Sequence, residues 1–69
     1  MKISARNVFK GKVKSITHGV VNSEVEVQLP GGDVVVSVVT KRAVEALNLK
    51  EGSEVYAVIK ASSVMLAAD

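Results

Sequence analysis

Hydrophobic and polar residues alternate along most of this chain, which is the pattern expected of β-strands with one buried face. The first predicted strand covers residues 8–17 and carries a row of lysines, Lys10, Lys12 and Lys14, on one face. We expect this lysine face to lie in solvent. Gly11 lies within the strand, where it predicts a bulge or a close backbone approach.

The second and third predicted strands are joined by a turn. Residues 20–29 form the second strand, in which Val25 and Val27 share an apolar face and polar residues alternate with them. The turn at residues 30–33 combines proline, which presets φ, with glycines, which permit φ > 0. The third strand, residues 34–39, is apolar on both faces apart from one serine. Such a strand needs cover from a helix or from another subunit.

A short helix and two further strands complete the predicted elements. Thr40 is a favourable N-cap residue, and the helix is predicted over residues 41–47 with Leu47 facing inward. Residues 54–60 and 64–66 are predicted as the fourth and fifth strands. The predicted fold class is therefore all-β with one short helix, arranged as a five-stranded OB-like Greek-key barrel.

Length and composition favour an oligomer. A chain of 69 residues is expected to form a single domain, residues 1–69, and so small a domain buries only about 60% of its unfolded surface. Such domains usually need disulfides, a metal or oligomerisation. The chain has no cysteine and one histidine, so no directly ligated metal is expected. Because 48% of the residues are hydrophobic, we predict a homo-oligomer.

The modest net charge of +2 does not favour a nucleic-acid partner, because nucleic-acid binders usually carry a basic patch. Single-strand binders also offer aromatic platforms, whereas this chain has only Phe9 and Tyr56, and Phe9 is predicted to lie in the core. No apolar run approaches the roughly 20 residues of a membrane span, so no membrane partner is expected. Polar residues from Lys2 onward do not match a signal peptide, and the default expectation is a cytoplasmic protein.

Two short segments are rich in hydrogen-bond donors and contain no carboxylate. Residues 4–7 offer a hydroxyl, a guanidinium, an amide and several backbone N–H groups. Residues 60–63 offer an ammonium and two hydroxyls. A compact oxyanion accepts hydrogen bonds on every side, so its site needs many donors and few acceptors. The two segments together predict a pocket for such an anion.

Residues 4–7, Gly11 and residues 60–62, together with the glycine turn at 31–32 and the run at 49–52, resemble the molbindin (Mop) family of small molybdate-binding proteins. The resemblance covers nearly the whole chain. It implies the barrel architecture described above. It also implies a homohexamer, built as a trimer of dimers, that binds oxyanions at subunit interfaces.

The resemblance also implies roles for individual residues. Ser4 would donate its hydroxyl, Arg6 its backbone N–H and guanidinium, and Lys60 its ammonium. Thr40 would close the pocket from a neighbouring subunit. Backbone N–H groups nearby would supply the remaining donors. The predicted primary site consists of Ser4, Ala5, Arg6, Asn7, Thr40, Lys60, Ala61 and Ser62.

A second anion site on a symmetry axis is also implied by the resemblance, and His18, Gly19 and Val20 are its predicted residues. Purely structural interpretations stay open for several of these positions. Histidine beside glycine is common in turns, and Thr40 caps a helix equally well without an anion. Lys60 at a strand end can simply protect the sheet edge against aggregation.

The predicted function is cytoplasmic storage or homeostasis of molybdenum, with molybdate, and also tungstate, bound as the intact oxyanion. Two alternatives remain: an OB-type module for single-stranded nucleic acid, and a molybdate-sensing regulatory module that acts in trans. An enzyme is not expected, because the chain lacks a Ser-His-Asp set, paired inward carboxylates and a cofactor motif. Relatives carry the name molybdenum-pterin-binding, but no large aromatic pocket for a pterin is predicted.

Overall fold

A computed structural model of the chain describes residues 1–69. The strands are β1 (Asn7–His18), β2 (Asn22–Gln28), β3 (Val34–Thr40) and β4 (Glu54–Ile59), with helix α1 (Lys41–Ala46) after β3 and a 3₁₀ turn (Ala61–Ser63) after β4. The strands form one antiparallel sheet in the order β3-β2-β1-β4. The first four predicted strands and the helix are therefore confirmed, with ends that move by one or two residues.

β1 is the longest strand and is shared between two neighbours. Its first half pairs with β4, where Asn7 lies opposite Ile59. Its second half pairs with β2, where His18 lies opposite Ser23. The register with β2 shifts just after Val13, which marks a β-bulge. A bulge bends its strand and increases the local twist, so the sheet curls around its inner face.

The close backbone approach predicted at Gly11 is confirmed. A Cβ atom at this buried position would lie 2.6 Å from the Gln28 carbonyl oxygen and 2.8 Å from Cγ1 of Val27. Such distances leave no room for a side chain, so only glycine fits here. The bulge itself falls further along the strand, beyond Val13.

The hydrophobic core lies on the inner face of the curled sheet and is small. Val13, Val25 and Val27 from the sheet and Val44 from α1 are its buried hydrophobic residues. Ser23 is also buried, at 1% exposure, and its hydroxyl has no hydrogen-bond partner. Four buried valines are a small core for a chain in which 48% of the residues are hydrophobic.

α1 covers the inner face beside β2 and β3. The predicted N-cap is confirmed, since Thr40 Oγ1 accepts a hydrogen bond of 3.0 Å from the Ala43 N–H. Val44 is the buried residue of the helix. The inward position predicted for Leu47 is wrong: this residue is 65% exposed. It is the C-cap residue, and the chain reverses directly after it at Asn48, where φ is 51°.

The fifth strand predicted at residues 64–66 is not present, so the five-strand count is not confirmed and the sheet has four strands. The 3₁₀ turn over Ala61–Ser63 separates this segment from β4. Met65 and Leu66 are 92% and 94% exposed. A strand needs a neighbouring edge to pair its backbone groups, and this segment has no such partner within the chain.

β3 and β4 are the two edges of the sheet and do not pair with each other. The curled sheet is therefore open between them. The opening forms a groove of about 460 Å³, lined by 14 residues of which 13 are hydrophobic, and we call it the apolar groove. On the outer face of β3, Val34, Val36 and Val38 are 38%, 58% and 66% exposed. Both faces of β3 thus carry apolar surface that a single chain does not cover.

Candidate anion-binding site

The two donor-rich segments lie side by side in the fold. Because Asn7 pairs with Ile59 at the end of the β1–β4 ladder, the residues before β1 and those after β4 leave the sheet at the same place. They line a cleft of about 800 Å³, which we call the donor cleft. Its lining residues are Ile3, Ser4, Ala5, Arg6, Val58, Lys60, Ala61 and Ser62. The structure thus brings together six of the eight residues predicted for the primary site.

Two residues of the 3₁₀ turn that line this cleft carry backbone N–H groups without an acceptor. The turn is closed by the N–H groups of Ser63 and Val64, which donate to the carbonyls of Lys60 at 2.8 Å and Ala61 at 3.3 Å. The N–H groups of Ala61 and Ser62 come first in the turn. Like the first N–H groups of any helix, they have no acceptor within it.

The segment before β1 adds further donors. Residues 4–6 lie outside the sheet, and none of their backbone N–H groups donates to a carbonyl. Their serine hydroxyl and guanidinium take no part in the side-chain hydrogen bonds of the structure either. The donors of both segments are therefore available to an external acceptor.

Positive charge in the donor cleft comes from Arg6 and Lys60. The ion pair of the structure joins Lys10 to Glu54 at 3.4 Å on the sheet surface, so both cations of the cleft are unpaired. No carboxylate lines the cleft. Cations and neutral donors without a nearby carboxylate favour an anion over a cation or a neutral ligand.

The geometry of the donor cleft fits an anion that accepts hydrogen bonds on several sides at once. Hydrogen bonds to a charged acceptor are about twice as strong as neutral ones, and backbone N–H groups at a turn are directional donors. However, the cleft of about 800 Å³ is open and much larger than a compact inorganic anion. A single chain therefore supplies donors on one side and needs another surface to enclose the ligand.

Asn7 does not line the donor cleft, although it belongs to the predicted set. Its side-chain Nδ2 donates a hydrogen bond of 3.2 Å to the carbonyl oxygen of Ile59. Asn7 is half-buried between the strands. One N–H of its amide is thus bonded within the sheet.

Thr40 lies far from the donor cleft within the same chain. It pairs with Asn22 at the other end of the sheet, near the turn that follows His18. The 12 residues of β1 lie between the two ends, and a straight strand of this length spans roughly 36 Å at about 3.3 Å per residue. Thr40 can therefore reach a donor cleft only if that cleft belongs to another copy of the chain.

The three residues predicted for a second anion site lie at the end of β1 and in the exposed turn that follows it. The Gly19 N–H donates a hydrogen bond of 2.9 Å to the Asn22 carbonyl and is not free for a ligand. Val20 is 95% exposed, and its N–H has no backbone acceptor. His18 is exposed as well. One chain thus presents fewer free donors here than in the donor cleft.

Two apolar residues that line the donor cleft, Ile3 and Val58, were not predicted from the sequence. They carry no donor, so a search for donor-rich segments passes over them. Val58 could have been found from the alternation of β4, because it shares a face with Tyr56, which opposes Lys10 on β1. Such residues shape the wall of the cleft and leave polar recognition to the donors.

Phe9, which was predicted to lie in the core, is 41% exposed. The prediction is wrong because nothing in the chain covers the inner face at the start of β1. Tyr56 is 48% exposed and lies opposite Lys10. Since neighbouring residues of a strand point to opposite faces, Phe9 and Tyr56 lie on opposite faces of the sheet. The two aromatic rings cannot form one stacking platform.

No group of three or more His, Cys, Asp or Glu side chains is placed to hold a metal ion. α1 is neither long nor apolar enough to cross a membrane.

Sequence comparison identifies the family. The TOBE domain family matches residues 3–66. A probable molybdenum-pterin-binding protein of Haemophilus influenzae is 56% identical over 66 residues, which is 96% of each chain. This chain therefore belongs to the TOBE domain family, and within it to the molbindins, the Mop group.

Two solved structures share the fold. The structure of MopII from Clostridium pasteurianum superposes with a TM-score of 0.92 at 45% identity and covers 97% of this chain and 100% of its own. The cytoplasmic molybdate-binding protein ModG, solved with molybdate bound, gives a TM-score of 0.91 at 51% identity. This second match covers 94% of this chain and 46% of ModG. Similarity at this level supports the curled antiparallel sheet with one short helix.

Proposed function

We propose that this protein binds molybdate in the donor cleft, and that tungstate binds there as well. The observation that carries the proposal is the convergence of residues 4–6 with residues 60–62. Their hydrogen-bond donors have no protein acceptor, and no carboxylate is among them. The molybdate-bound ModG structure, 51% identical to this chain, supports this choice of anion. The protein holds the metal only as its oxyanion, and no catalysis and no pterin are part of the proposal.

Selectivity follows from the need to satisfy every donor. Molybdate and tungstate have nearly the same size and charge, so a site fitted to one fits the other. Sulfate has shorter bonds and leaves some donors without a partner. Each buried donor left unsatisfied costs about 1–3 kcal/mol. We therefore expect molybdate and tungstate to bind well above sulfate.

The site is complete in a homo-oligomer, which we propose to be a hexamer built from dimers. Four buried valines and the open apolar groove support an assembly in which neighbouring chains cover the remaining apolar surface. The distance between Thr40 and the donor cleft supports a site between subunits, with Thr40 of one chain facing the cleft of another. Residues 64–66 can become the fifth strand only beside an edge that another chain supplies.

The proposed role is storage or homeostasis of molybdenum in the cytoplasm, as the description of ModG as cytoplasmic supports. The nucleic-acid alternative is disfavoured because Phe9 and Tyr56 lie on opposite faces of the sheet. A regulatory role in trans would use the same site. It differs from storage only in requiring a partner that recognises the anion-bound protein.

The experiment that tests the proposal replaces Lys60 with methionine, which keeps the aliphatic stem and removes the charge. The loss of one hydrogen bond to a charged group is worth about 1.5–3 kcal/mol, so molybdate affinity should fall roughly 10- to 150-fold. Titration calorimetry with molybdate, tungstate and sulfate measures this effect, and light scattering shows whether the oligomer persists.

Lys50→Met is the matched control, because Lys50 is an exposed lysine outside the donor cleft. It should leave affinity unchanged. Arg6→Met should cost less than Lys60→Met if Arg6 contributes mainly its backbone N–H. Unchanged molybdate affinity in Lys60→Met, with the oligomer intact, would return Lys60 to the role of an ordinary lysine at a strand end.

A further inference from the structure

One side-chain hydrogen bond of this structure differs from the others. The structure contains three hydrogen bonds that involve a side chain. Two of them, at Thr40 and Ser53, join residues three apart in local turns. The third joins Asn7 Nδ2 to the Ile59 carbonyl across 52 positions of sequence, at 3.2 Å. Of the three, it alone joins residues that are far apart in the sequence.

This bond lies at the base of the donor cleft. Asn7 and Ile59 form the last pair of the β1–β4 ladder, and the next residue on each side, Arg6 and Lys60, already lines the cleft. The half-buried Asn7 side chain does not line it. The amide therefore ties together the two strands from which the donors project.

We propose that Asn7 is a positioning residue for the oxyanion site, an inference that rests on the proposed function. It holds residues 4–6 and residues 60–62 at the separation that suits a large tetrahedral anion, and it does not touch the anion. This role differs from that of a direct anion ligand, which the sequence alone indicated for Asn7.

Ladder ends open at low free-energy cost because few contacts hold them, and here each strand continues into an exposed segment. An additional hydrogen bond at the last pair opposes this opening. When the pair opens, the donors on the two sides of the cleft separate, and fewer of them can reach one anion at the same time.

Loss of the bond should affect anions unequally. Binding of molybdate depends on matching many directional donors at once, because each unmatched donor is costly. Binding of sulfate to the same cleft depends mainly on the charges of Arg6 and Lys60, and charge attraction falls off gradually with distance. Removing the Asn7 amide should therefore reduce the preference for molybdate over sulfate.

The test compares Asn7→Ala with Asn22→Ala in the 69-residue protein. Asn22 is the matched control, because it also occupies the last pair of a ladder, opposite Thr40, but its side chain makes no hydrogen bond. Calorimetric titration with molybdate, and displacement of molybdate by sulfate, give both affinities. We expect Asn7→Ala to weaken molybdate about 5- to 10-fold, which is about 1–1.4 kcal/mol, and to change sulfate less than about 2-fold. Asn22→Ala should change neither.

A second measurement needs no anion. Hydrogen exchange of the backbone N–H groups in the last paired residues of the β1–β4 ladder, 7–9 and 57–59, reports whether the ladder end opens more often. Exchange should be faster in Asn7→Ala than in the wild type, and Asn22→Ala should leave it unchanged. This measurement tests the positioning role even if the wild type fails to bind molybdate, a result that would overturn the proposed function instead.

Three results would overturn the inference. Unchanged exchange and unchanged affinities in Asn7→Ala would mean that the bond holds nothing in place. Equal losses for molybdate and sulfate would indicate a general structural role. A molybdate loss as large as that of Lys60→Met, without faster exchange, would make Asn7 a direct ligand of the anion.

Discussion

The two ends of β1 differ in what one chain can offer to an anion. At the Asn7 end, two segments from opposite termini of the chain meet and present backbone and side-chain donors in one cleft. At the His18 end, a single tight turn follows the strand, and the Gly19 N–H is already bonded to the Asn22 carbonyl. The first end gathers unpaired donors on one side of a cleft. The second end is a turn with exposed residues.

The difference arises from topology. Adjacent antiparallel strands bring the start of one strand and the end of the other to the same end of the sheet. Segments that are distant in sequence can therefore converge there. A tight turn instead uses its own backbone groups to close itself. The His18 end also carries Thr40, whose hydroxyl accepts a hydrogen bond from Ala43 and can still donate. In the proposed homo-oligomer, the two ends complement each other between copies of the chain.

The largest expected effect comes from Thr40→Asp. Aspartate is at least as good an N-cap as threonine, so α1 and the fold should persist. If Thr40 faces the donor cleft of a neighbouring chain, a carboxylate there repels the dianion, and like-charge juxtaposition costs several kcal/mol. Molybdate affinity measured by calorimetry should fall more than about 100-fold.

Thr40→Ser is the control, because it keeps the hydroxyl for both the cap and the anion. Circular dichroism should show the same helix content in both variants. Full molybdate affinity in Thr40→Asp would mean that the two ends of β1 do not combine in one anion site. Thr40 would then act only as a helix cap.

Gly19→Ala should disturb the His18 end alone. The added Cβ would collide with the Asn22 carbonyl oxygen, and overpacking of this kind costs roughly 1–3 kcal/mol. Thermal unfolding should therefore occur at lower temperature, while molybdate affinity of the folded protein should fall far less than in Thr40→Asp, because the Thr40 hydroxyl is kept. Gly31→Ala is the control, because nothing lies within 4 Å of its added Cβ. Equal unfolding temperatures for the two variants would contradict the tight-turn description.

Ser23→Ala should stabilise the protein or leave its stability unchanged. The Ser23 hydroxyl is buried next to the His18 end of β1 and has no partner. A buried unsatisfied hydroxyl costs about 1–3 kcal/mol, and the small void left by its removal offsets part of that gain. A change of about 0 to +1 kcal/mol in the free energy of unfolding is expected.

The contrasting variant is Ser53→Ala, which removes the 3.1 Å hydrogen bond from the Lys50 N–H. It should destabilise the fold by about 0.5–1.5 kcal/mol. Chemical denaturation measures both variants. If Ser23→Ala were the more destabilising of the two, the Ser23 hydroxyl would have a partner in the assembled protein.

The smallest effect is expected for His18→Gln. Gln keeps hydrogen-bonding capacity and approximate size, and His18 lies at the far end of β1 from the donor cleft. Affinity for the tightest molybdate site should change by less than about 2-fold, or roughly 0.4 kcal/mol. A weaker class of sites in the same titration should be lost if His18 contributes to a second anion site. A large loss at the tightest site would mean that the His18 end of β1 contributes more to that site than the Asn7 end does.

The sequence by itself determined the elements and the donor chemistry. Alternation of valines with polar residues identified β1 to β4, and Thr40 marked the start of α1, because strand periodicity and capping are local properties. The donor-rich composition of residues 4–7 and 60–63 was visible without coordinates for the same reason. The prediction of a fifth strand was wrong for a single chain. Strand pairing depends on a neighbouring sheet edge, which the local sequence pattern does not reveal.

Only the tertiary structure decided which donors meet. The ladder register places residues 4–6 beside residues 60–62, turns the Asn7 amide into the sheet and puts Thr40 at the opposite end. Hydrogen-bond partners depend on where strands pair, and strand pairing depends on packing between residues far apart in sequence. The donor chemistry of the proposed anion site could therefore be predicted from the residues, whereas its geometry depended on the fold.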